Sequence, residues 1–389
     1  MPVRLFFSVG EPSGDIHAAN LIKAVRTSEP SLVPLGLGGP RMAEAGCEIM
    51  YPLVNNPIMG MQGVLRAIPF LRGLLKKIAK TFETDRPDAV VLVDYPGFNW
   101  HVARLAKKHG IPVIYYVPPQ IWAWASFRVA RMKKYVDHIL CSLPFEEAWY
   151  RSKGVDHSVY VGHPFFDDLA LAELDHSLIQ SLKASAPVGR VALLPGSRPS
   201  EVDRNGRLLV RTAKKIQDRV PGVSISVAAF DERAAQKMAK IAHDNGMSLD
   251  IHTGKTREIL ASADAAVSVS GSVSLELLYY EVPTTIIYTI HNFYRRVIMP
   301  MVLHTPYITL VNLLAGQKVF PEFLGPNDFS GPIADQIVEW LTKPAARGAV
   351  RQKLKTLRTE YADAGASTFA ANYILHDVLG QNAATRKAA

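Results

Sequence analysis

Pro195-Gly196-Ser197-Arg198-Pro199-Ser200-Glu201 is the stretch of this sequence best suited to hold an anion. Gly196 lets the backbone turn closely. Ser197 and Ser200 both have side chains that cap a helix start, and Pro199 suits the first turn. Free N–H groups and the positive end of the helix dipole then face whatever lies above the turn, most simply a phosphate. Arg198 adds a forked, permanent positive charge. The plainer alternative is a capped helix with Arg198 on its surface. A second small-residue loop, Ser270-Gly271-Ser272, also opens a helical stretch, with Glu276 in the first turn. Glu276 either serves the helix dipole or accepts hydrogen bonds from a ribose.

The first half of the chain offers acids instead. Asp94 ends the apolar run Ala89-Val90-Val91-Leu92-Val93. A carboxylate at the carboxyl end of a parallel strand is placed to act as a general base. Alternatively it caps the helix that starts near Asn99, although Pro96-Gly97 separates the two. Gly10-Glu11-Pro12-Ser13-Gly14-Asp15 is another strand-to-helix turn. Glu11 and Asp15 suit a hydroxyl-rich ligand such as a sugar better than a phosphate. The alternative is that Asp15 caps the helix and Glu11 is solvated. Trp122 and Trp124 follow Pro118-Pro119 and could wall a sugar or an acyl chain, or pack under their own loop. Asn312 lies among apolar residues and, if buried, must be hydrogen-bonded.

Positioning these residues takes a repeated strand–helix frame. Strands are expected at Val3–Val9, from Val33, at Asp88–Asp94, Ile111–Val117, Asp137–Ser142 and Val159–Val161. After Gly162-His163-Pro164 a linker is expected to about Pro187, then strands at Val191–Leu194, Val223–Ala228, Leu249–His252, Ala265–Val269 and Thr284–Tyr288. Helices fill the gaps, which means βαβ units and parallel sheets. Met61–Lys80 stands apart: it is apolar and basic, with no acidic residue. Such a segment suits the surface of an anionic bilayer, or it is an ordinary surface helix. Pro69 and Gly73 argue against one unbroken helix there.

The 389 residues suit two domains, and 48% apolar residues can fill their cores. Two cysteines, Cys47 and Cys141, make no disulfide framework and have no metal-ligand spacing. The start of the chain has no signal-peptide pattern and no stretch is long enough to span a membrane, which points to the cytoplasm. A net charge of +9 points to anionic partners. No nucleic-acid-binding pattern is present, and the three-glycine dinucleotide fingerprint is missing, so neither nucleic acid nor NAD is expected.

Taken in order, several stretches resemble the lipid-A-disaccharide synthase family of GT-B glycosyltransferases. They are Gly10-Glu11-Pro12-Ser13-Gly14-Asp15, Gly39-Pro40-Arg41-Met42, Val93-Asp94-Tyr95-Pro96-Gly97-Phe98-Asn99 and Ile121-Trp122-Ala123-Trp124. Leu143-Pro144-Phe145-Glu146, Val161-Gly162-His163-Pro164, Leu194-Pro195-Gly196-Ser197-Arg198, Ser270-Gly271-Ser272 with Glu276, and Asn312-Leu313-Leu314-Ala315-Gly316 continue the series. The resemblance implies an α/β protein of GT-B architecture, with two Rossmann-like parallel-sheet domains facing a cleft and C-terminal helices crossing back to the first domain. The acceptor and membrane-facing domain would be 1–164 plus about 355–389, and the UDP-sugar domain 165–354. It implies an inverting hexosyltransferase with no cofactor and no metal. The substrates would be UDP-2,3-diacylglucosamine and 2,3-diacylglucosamine 1-phosphate (lipid X), and the products a β-1′,6-linked disaccharide 1-phosphate and UDP. Asp94 and Arg198 would be catalytic. Gly196, Ser197, Arg198, Ser270, Gly271, Ser272, Glu276 and Asn312 would hold the UDP-sugar. Glu11, Ser13, Asp15, Trp122 and Trp124 would face the acceptor. The enzyme would sit peripherally on the cytoplasmic face of the inner membrane through Met61–Lys80, and a homodimer is left open. Many relatives have a second Asp where this chain has Gly97, and a Pro where it has Val311. Asp94 is therefore the one carboxylate of its loop.

Overall fold

The computed structural model describes residues 2–55, 61–289 and 305–380, and the side chains of 55 and 61–68 are outside that description. The chain forms two compact units, Met1–Leu171 with Asp363–Ala389, and Ala172–Ala362.

The first unit is built on seven strands: β1 (Arg4–Val9), β2 (Val33–Leu37), β3 (Glu48–Tyr51), β4 (Ala89–Val93), β5 (Val113–Tyr116), β6 (His138–Cys141) and β7 (Ser158–Tyr160). Their order is β3-β2-β1-β4-β5-β6-β7, and every pairing is parallel. A parallel sheet must be covered on both faces, which is why β4 reads as an unbroken Val/Leu run and is buried throughout. Leu5, Phe7, Val91 and Val93 face one side, where they pack with the helix Pro12–Ser28 and with Ala370, Ala371 and Ile374 near the C-terminus. Phe6, Val90 and Leu92 face the other, against Leu74, Ile78 and Phe82 of the helix Met61–Thr84, Val102 of Pro96–Lys108, and Met132 of Val129–Tyr135.

The helix Met61–Thr84 runs through Pro69, contrary to the break expected there. Pro69 removes one backbone rung, but it sits on the exposed side, where water can take up the freed carbonyl. The i, i+4, i+8 placement of buried Leu74, Ile78 and Phe82 anchors the rest of the helix.

Crossing back is fixed by one carboxylate. Asp167 accepts the backbone N–H groups of Gly365 (2.5 Å), Ala366 (3.2 Å) and Ser367 (2.7 Å), the free donors at the start of the helix Ala366–Tyr373. The first unit therefore keeps the helix Phe165–Ala170, beyond the break expected at 164, while Pro344–Tyr361 stays with the second unit. The expected linker also holds the helix His176–Ala184, capped by Asp175 on Leu178 N–H at 2.9 Å.

The second unit has six parallel strands: β8 (Arg190–Leu194), β9 (Ser224–Ala229), β10 (Asp250–Thr253), β11 (Ala265–Val269), β12 (Thr284–Tyr288) and β13 (Glu322–Leu324), in the order β10-β9-β8-β11-β12-β13. The strands β3 and β13 escape the sequence reading because they are short and only half-buried. Among the described residues no helix is long and apolar enough to cross a membrane.

Candidate functional site

Each sheet reverses its strand order at one place, and ligands of open α/β sheets bind beyond the carboxyl ends of strands at such a point. In the first unit the reversal lies between β1 and β4, which are paired through Val9 and Val93. The turns Gly10–Asp15 and Asp94–Asn99 leave those strands side by side. In the second unit it lies between β8 and β11, paired through Leu194 and Ser268. That puts Gly196–Arg198 beside Ser270–Ser272.

The Asp94 corner is held in an unusual backbone. Asp94 has φ 41°, Tyr95 φ 45° and Val117 φ 51°. Left-handed Asp is tolerated, whereas Tyr and β-branched Val there are outliers. Such residues cost of order 1–3 kcal/mol each and persist only where the surroundings over-determine them. Here the surroundings are visible. The Asp94 carbonyl accepts from Asn99 Nδ2 at 2.7 Å and from the Tyr115 hydroxyl at 2.7 Å. Asn99 is fully buried and also bonds the Ser8 hydroxyl at 2.7 Å, tying β1 to the corner. The Tyr95 ring lies against Gly10, where an added Cβ would come within 2.3 Å of it. Burial, and after it the neighbouring Glu11 charge, push the Asp94 carboxyl up to about 6, against the pull of the Tyr95 backbone. A carboxylate with that affinity for protons is matched to general-base work near neutral pH.

Of the other first-unit candidates, Glu11 joins Asp94 and Ser13 is exposed on the first turn of its helix. Asp15 is different. It is buried, and its oxygens accept from the N–H groups of Gly39 (2.9 Å), Arg41 (3.0 Å) and Met42 (3.1 Å). It holds the start of the helix Pro40–Glu44 rather than capping its own. Trp122 is buried too: its indole N–H bonds Glu146 at 2.9 Å and its ring stands edge-on to Phe145 at 4.8 Å. It packs under its own loop. Trp124 is 43% exposed, with the Arg128 guanidinium 4.7 Å from its ring centre.

In the second unit Gly196 has φ 106°, and a Cβ there would come within 2.4 Å of Glu201 Oε2. Ser197 and Ser200 do not cap the helix Pro199–Arg219. The cap position is Arg198, and Glu201 reaches back to Arg198 N–H at 3.2 Å. This leaves Ser197 and Ser200 exposed, and Arg198 61% exposed in an ion pair with Glu201 at 3.2 Å. Gly271 and Ser272 are exposed, and an added Cβ at Gly271 would touch nothing. Glu276 is half-buried in the first turn of the helix Val273–Tyr279, as expected. The buried Ser274 hydroxyl beside it has no hydrogen-bond partner among the described residues.

Asn312, like Asp15, sits inside a network of protein hydrogen bonds. It is fully buried, donates to Phe320 O (2.8 Å) and Glu322 Oε1 (2.9 Å), and accepts from the N–H groups of Val319 and Phe320 (2.8 Å each). All four hydrogen-bonding positions of the amide are filled by protein groups. A groove of about 580 Å³, lined in part by Gln236, His252, Thr253 and Lys255, contains none of the candidate residues. The sequence reading did not single out Tyr115, hidden in an apolar strand, or the role of Asn99, five residues past Asp94. An aromatic hydroxyl at the end of a buried strand is the signal that could have found the first, since it needs a partner.

The fold agrees with solved structures of low sequence identity. The S. aureus MnaA-UDP co-structure superposes with a TM-score of 0.68 at 11% identity, covering 97% of each chain. The glycotransferase of kitacinnamycin gives 0.63 at 16% identity, covering 97% of this chain and 99% of that one. Two parallel-sheet units of these orders define a protein of the GT-B class. The family model described as lipid-A-disaccharide synthetase matches residues 5–372. The lipid-A-disaccharide synthase of Myxococcus xanthus (strain DK1622) is 34% identical over 374 residues, covering 96% of this chain and 97% of that protein. That of Thiobacillus denitrificans (strain ATCC 25259 / T1) is 34% identical over 363 residues, covering 93% and 96%. The chain belongs to the lipid-A-disaccharide synthase family and is a disaccharide-forming glycosyltransferase.

Proposed function

We propose that the chain moves 2,3-diacylglucosamine from UDP to the 6-hydroxyl of 2,3-diacylglucosamine 1-phosphate, giving the β-1′,6-linked disaccharide 1-phosphate and UDP. The observation that carries the mechanism is the Asp94 corner, where a proton-affine carboxylate is locked at the switch point of the first sheet. Asp94 takes the proton of the 6-hydroxyl as its oxygen bonds the donor anomeric carbon. The bond from that carbon to the UDP oxygen breaks on the opposite side, which inverts the centre. Glu11 and Ser13 flank the acceptor sugar.

The second unit takes the donor. Backbone N–H groups of Gly196, Ser197, Ser270, Gly271 and Ser272 meet the diphosphate, and Glu276 meets the ribose. Arg198 balances the charge growing on the leaving diphosphate. Its pair with Glu201 is exposed and costs little to exchange for a phosphate. Binding to an anionic inner-membrane surface is assigned to Met61–Lys80. Its described part presents Phe70, Arg72, Lys76, Lys77 and Lys80 outward, and the side chains of 61–68 lie outside the described residues.

The test is turnover of UDP-diacylglucosamine and lipid X in detergent by the protein and by Asp94→Ala. Loss of a general base costs about 10²–10⁴ in rate. The proposal holds if wild type releases UDP with the disaccharide and the variant binds UDP but turns over at least 100-fold more slowly. Wild type that binds UDP and forms no disaccharide refutes the substrate assignment.

A further inference from the structure

Arg128 is a cation with a built platform and no counter-charge. Its guanidinium lies 4.7 Å over the Trp124 ring and 5.7 Å from the Phe127 ring. Arg131 is its neighbour on the next turn and lies 5.9 Å over Trp100. Among the described residues no carboxylate pairs with Arg104, Arg128 or Arg131. Burial first, and then the Arg131 charge, lower the Arg128 pKa, and burial with the Arg104 and Arg131 charges does the same to His101. These shifts report positive charge gathered without neutralisation, which a bound anion would relieve.

Its location gives the anion a meaning. The Arg128 guanidinium and the Tyr115 hydroxyl are close enough to act on each other's ionisation, and that hydroxyl donates to the Asp94 carbonyl at 2.7 Å. Arg128 and Arg131 follow the carboxyl end of β5 on the same unit as Asp94, and Arg131 lies over Trp100, whose ring centre is 5.8 Å from that of Tyr115. We infer that Arg128, held over Trp124 with Arg131 as a second cation nearby, is the subsite for the phosphate monoester of the acceptor sugar. This rests on the acceptor assignment above. A sugar whose 6-hydroxyl meets Asp94 carries its 1-phosphate at the far side of the ring, where a forked, stacked guanidinium can take two oxygens at once. Trp124 then acts as a positioning residue for Arg128 rather than as a wall.

An anionic lipid headgroup offers the same chemistry, so the experiment separates the two. Turnover is measured in neutral detergent for wild type, Arg128→Ala and Arg128→Lys, with lipid X and with its dephosphorylated counterpart. With lipid X, Arg128→Ala loses about 10- to 100-fold in kcat/KM, mainly through KM, as expected for a lost charge-assisted pair. Arg128→Lys recovers part of the loss. With the dephosphorylated acceptor, wild type and Arg128→Ala agree within about twofold. UDP affinity, assigned to the other unit, is unchanged in both variants, and a thermal transition matching wild type by near-ultraviolet circular dichroism reports that their first unit is folded. The inference is overturned if Arg128→Ala leaves lipid X kinetics intact, or lowers both acceptors alike. It is also overturned if the only effect is weaker flotation with phosphatidylglycerol vesicles, which would give Arg128 to the bilayer. Glucosamine 1-phosphate, titrated by saturation-transfer NMR, decides the matter independently of turnover. Signal in wild type and its loss in Arg128→Ala support the subsite, and equal signal removes it, even where the disaccharide assay itself fails.

Discussion

Asn312→Ala tests whether a side chain that the family resemblance assigns to the sugar nucleotide is a structural part instead. The substitution strips acceptors from two buried backbone donors, Val319 N–H and Phe320 N–H. Each orphaned buried donor costs about 1–3 kcal/mol, so the unit loses roughly 2–6 kcal/mol. The Phe320 carbonyl and Glu322 lose donors as well, although Glu322 keeps those of Ile308 and Thr309. For a unit of this size each kcal/mol moves Tm by about 2–4 °C, so the transition falls by roughly 4–24 °C. Thermal unfolding followed by near-ultraviolet circular dichroism reads this directly. UDP affinity is then measured by calorimetry at a temperature below both transitions, where it should match wild type within about twofold. A variant that melts like wild type but binds UDP tenfold more weakly would refute the reasoning. In that case the network among Asn312, Glu322 and Phe320 must open to admit the ligand.

The remaining expectations concern the two switch points. With the Asp94 carboxylate as the proposed active form and its pKa raised to about 6, kcat should climb with pH through about 6, and Asp94→Asn should lack that limb. The same shift has the opposite sign for stability: the contribution is complete below the ordinary value of 3.8 and is lost as pH rises through about 6. A wild-type rate that is flat from pH 5 to pH 7 would remove Asp94 as the base. Gly196→Ala should weaken UDP binding tenfold or more, since strain of order 1–3 kcal/mol at φ 106° adds to a contact at 2.4 Å with Glu201. Unchanged UDP affinity and Tm in that variant would show that the turn relaxes freely.

The frame was legible because parallel strands advertise themselves. Ala89–Val93 and Ala265–Val269 are apolar along their whole length since both of their faces are covered. The turns that follow β1, β4, β8 and β11 were legible for a related reason, since glycine, proline and small polar residues mark abrupt changes of direction. What a side chain does at such a turn was less legible. Asp15 looked like a ligand group or a local cap, and its partners lie 24 to 27 residues away in sequence. Asn312 looked available because nothing in its neighbourhood names Phe320 as its mate. Trp122 and Trp124 are two residues apart, yet one is buried against Glu146 and the other is exposed, because the short helix Ile121–Trp124 turns them to different sides. Residue type announces capacity for chemistry, and only the tertiary fold decides whether backbone groups have already used it.

The return of the chain to its first unit also sets an order of birth. Ala370, Ala371, Ile374 and Val378 complete one covering of the first sheet, and they follow the whole of Ala172–Ala362 in sequence. At typical synthesis rates of 5–20 residues per second the first sheet waits roughly 10–40 s for that covering. During that interval the neighbourhood of Val93, Ile114 and Tyr116 is open, and the Asp167 carboxylate has no helix start to hold. The nascent chain thus leaves part of an apolar sheet face uncovered at the ribosome exit until Ala370–Val378 has been made. A ribosome that stops before Ala370 releases a chain whose first unit was never closed.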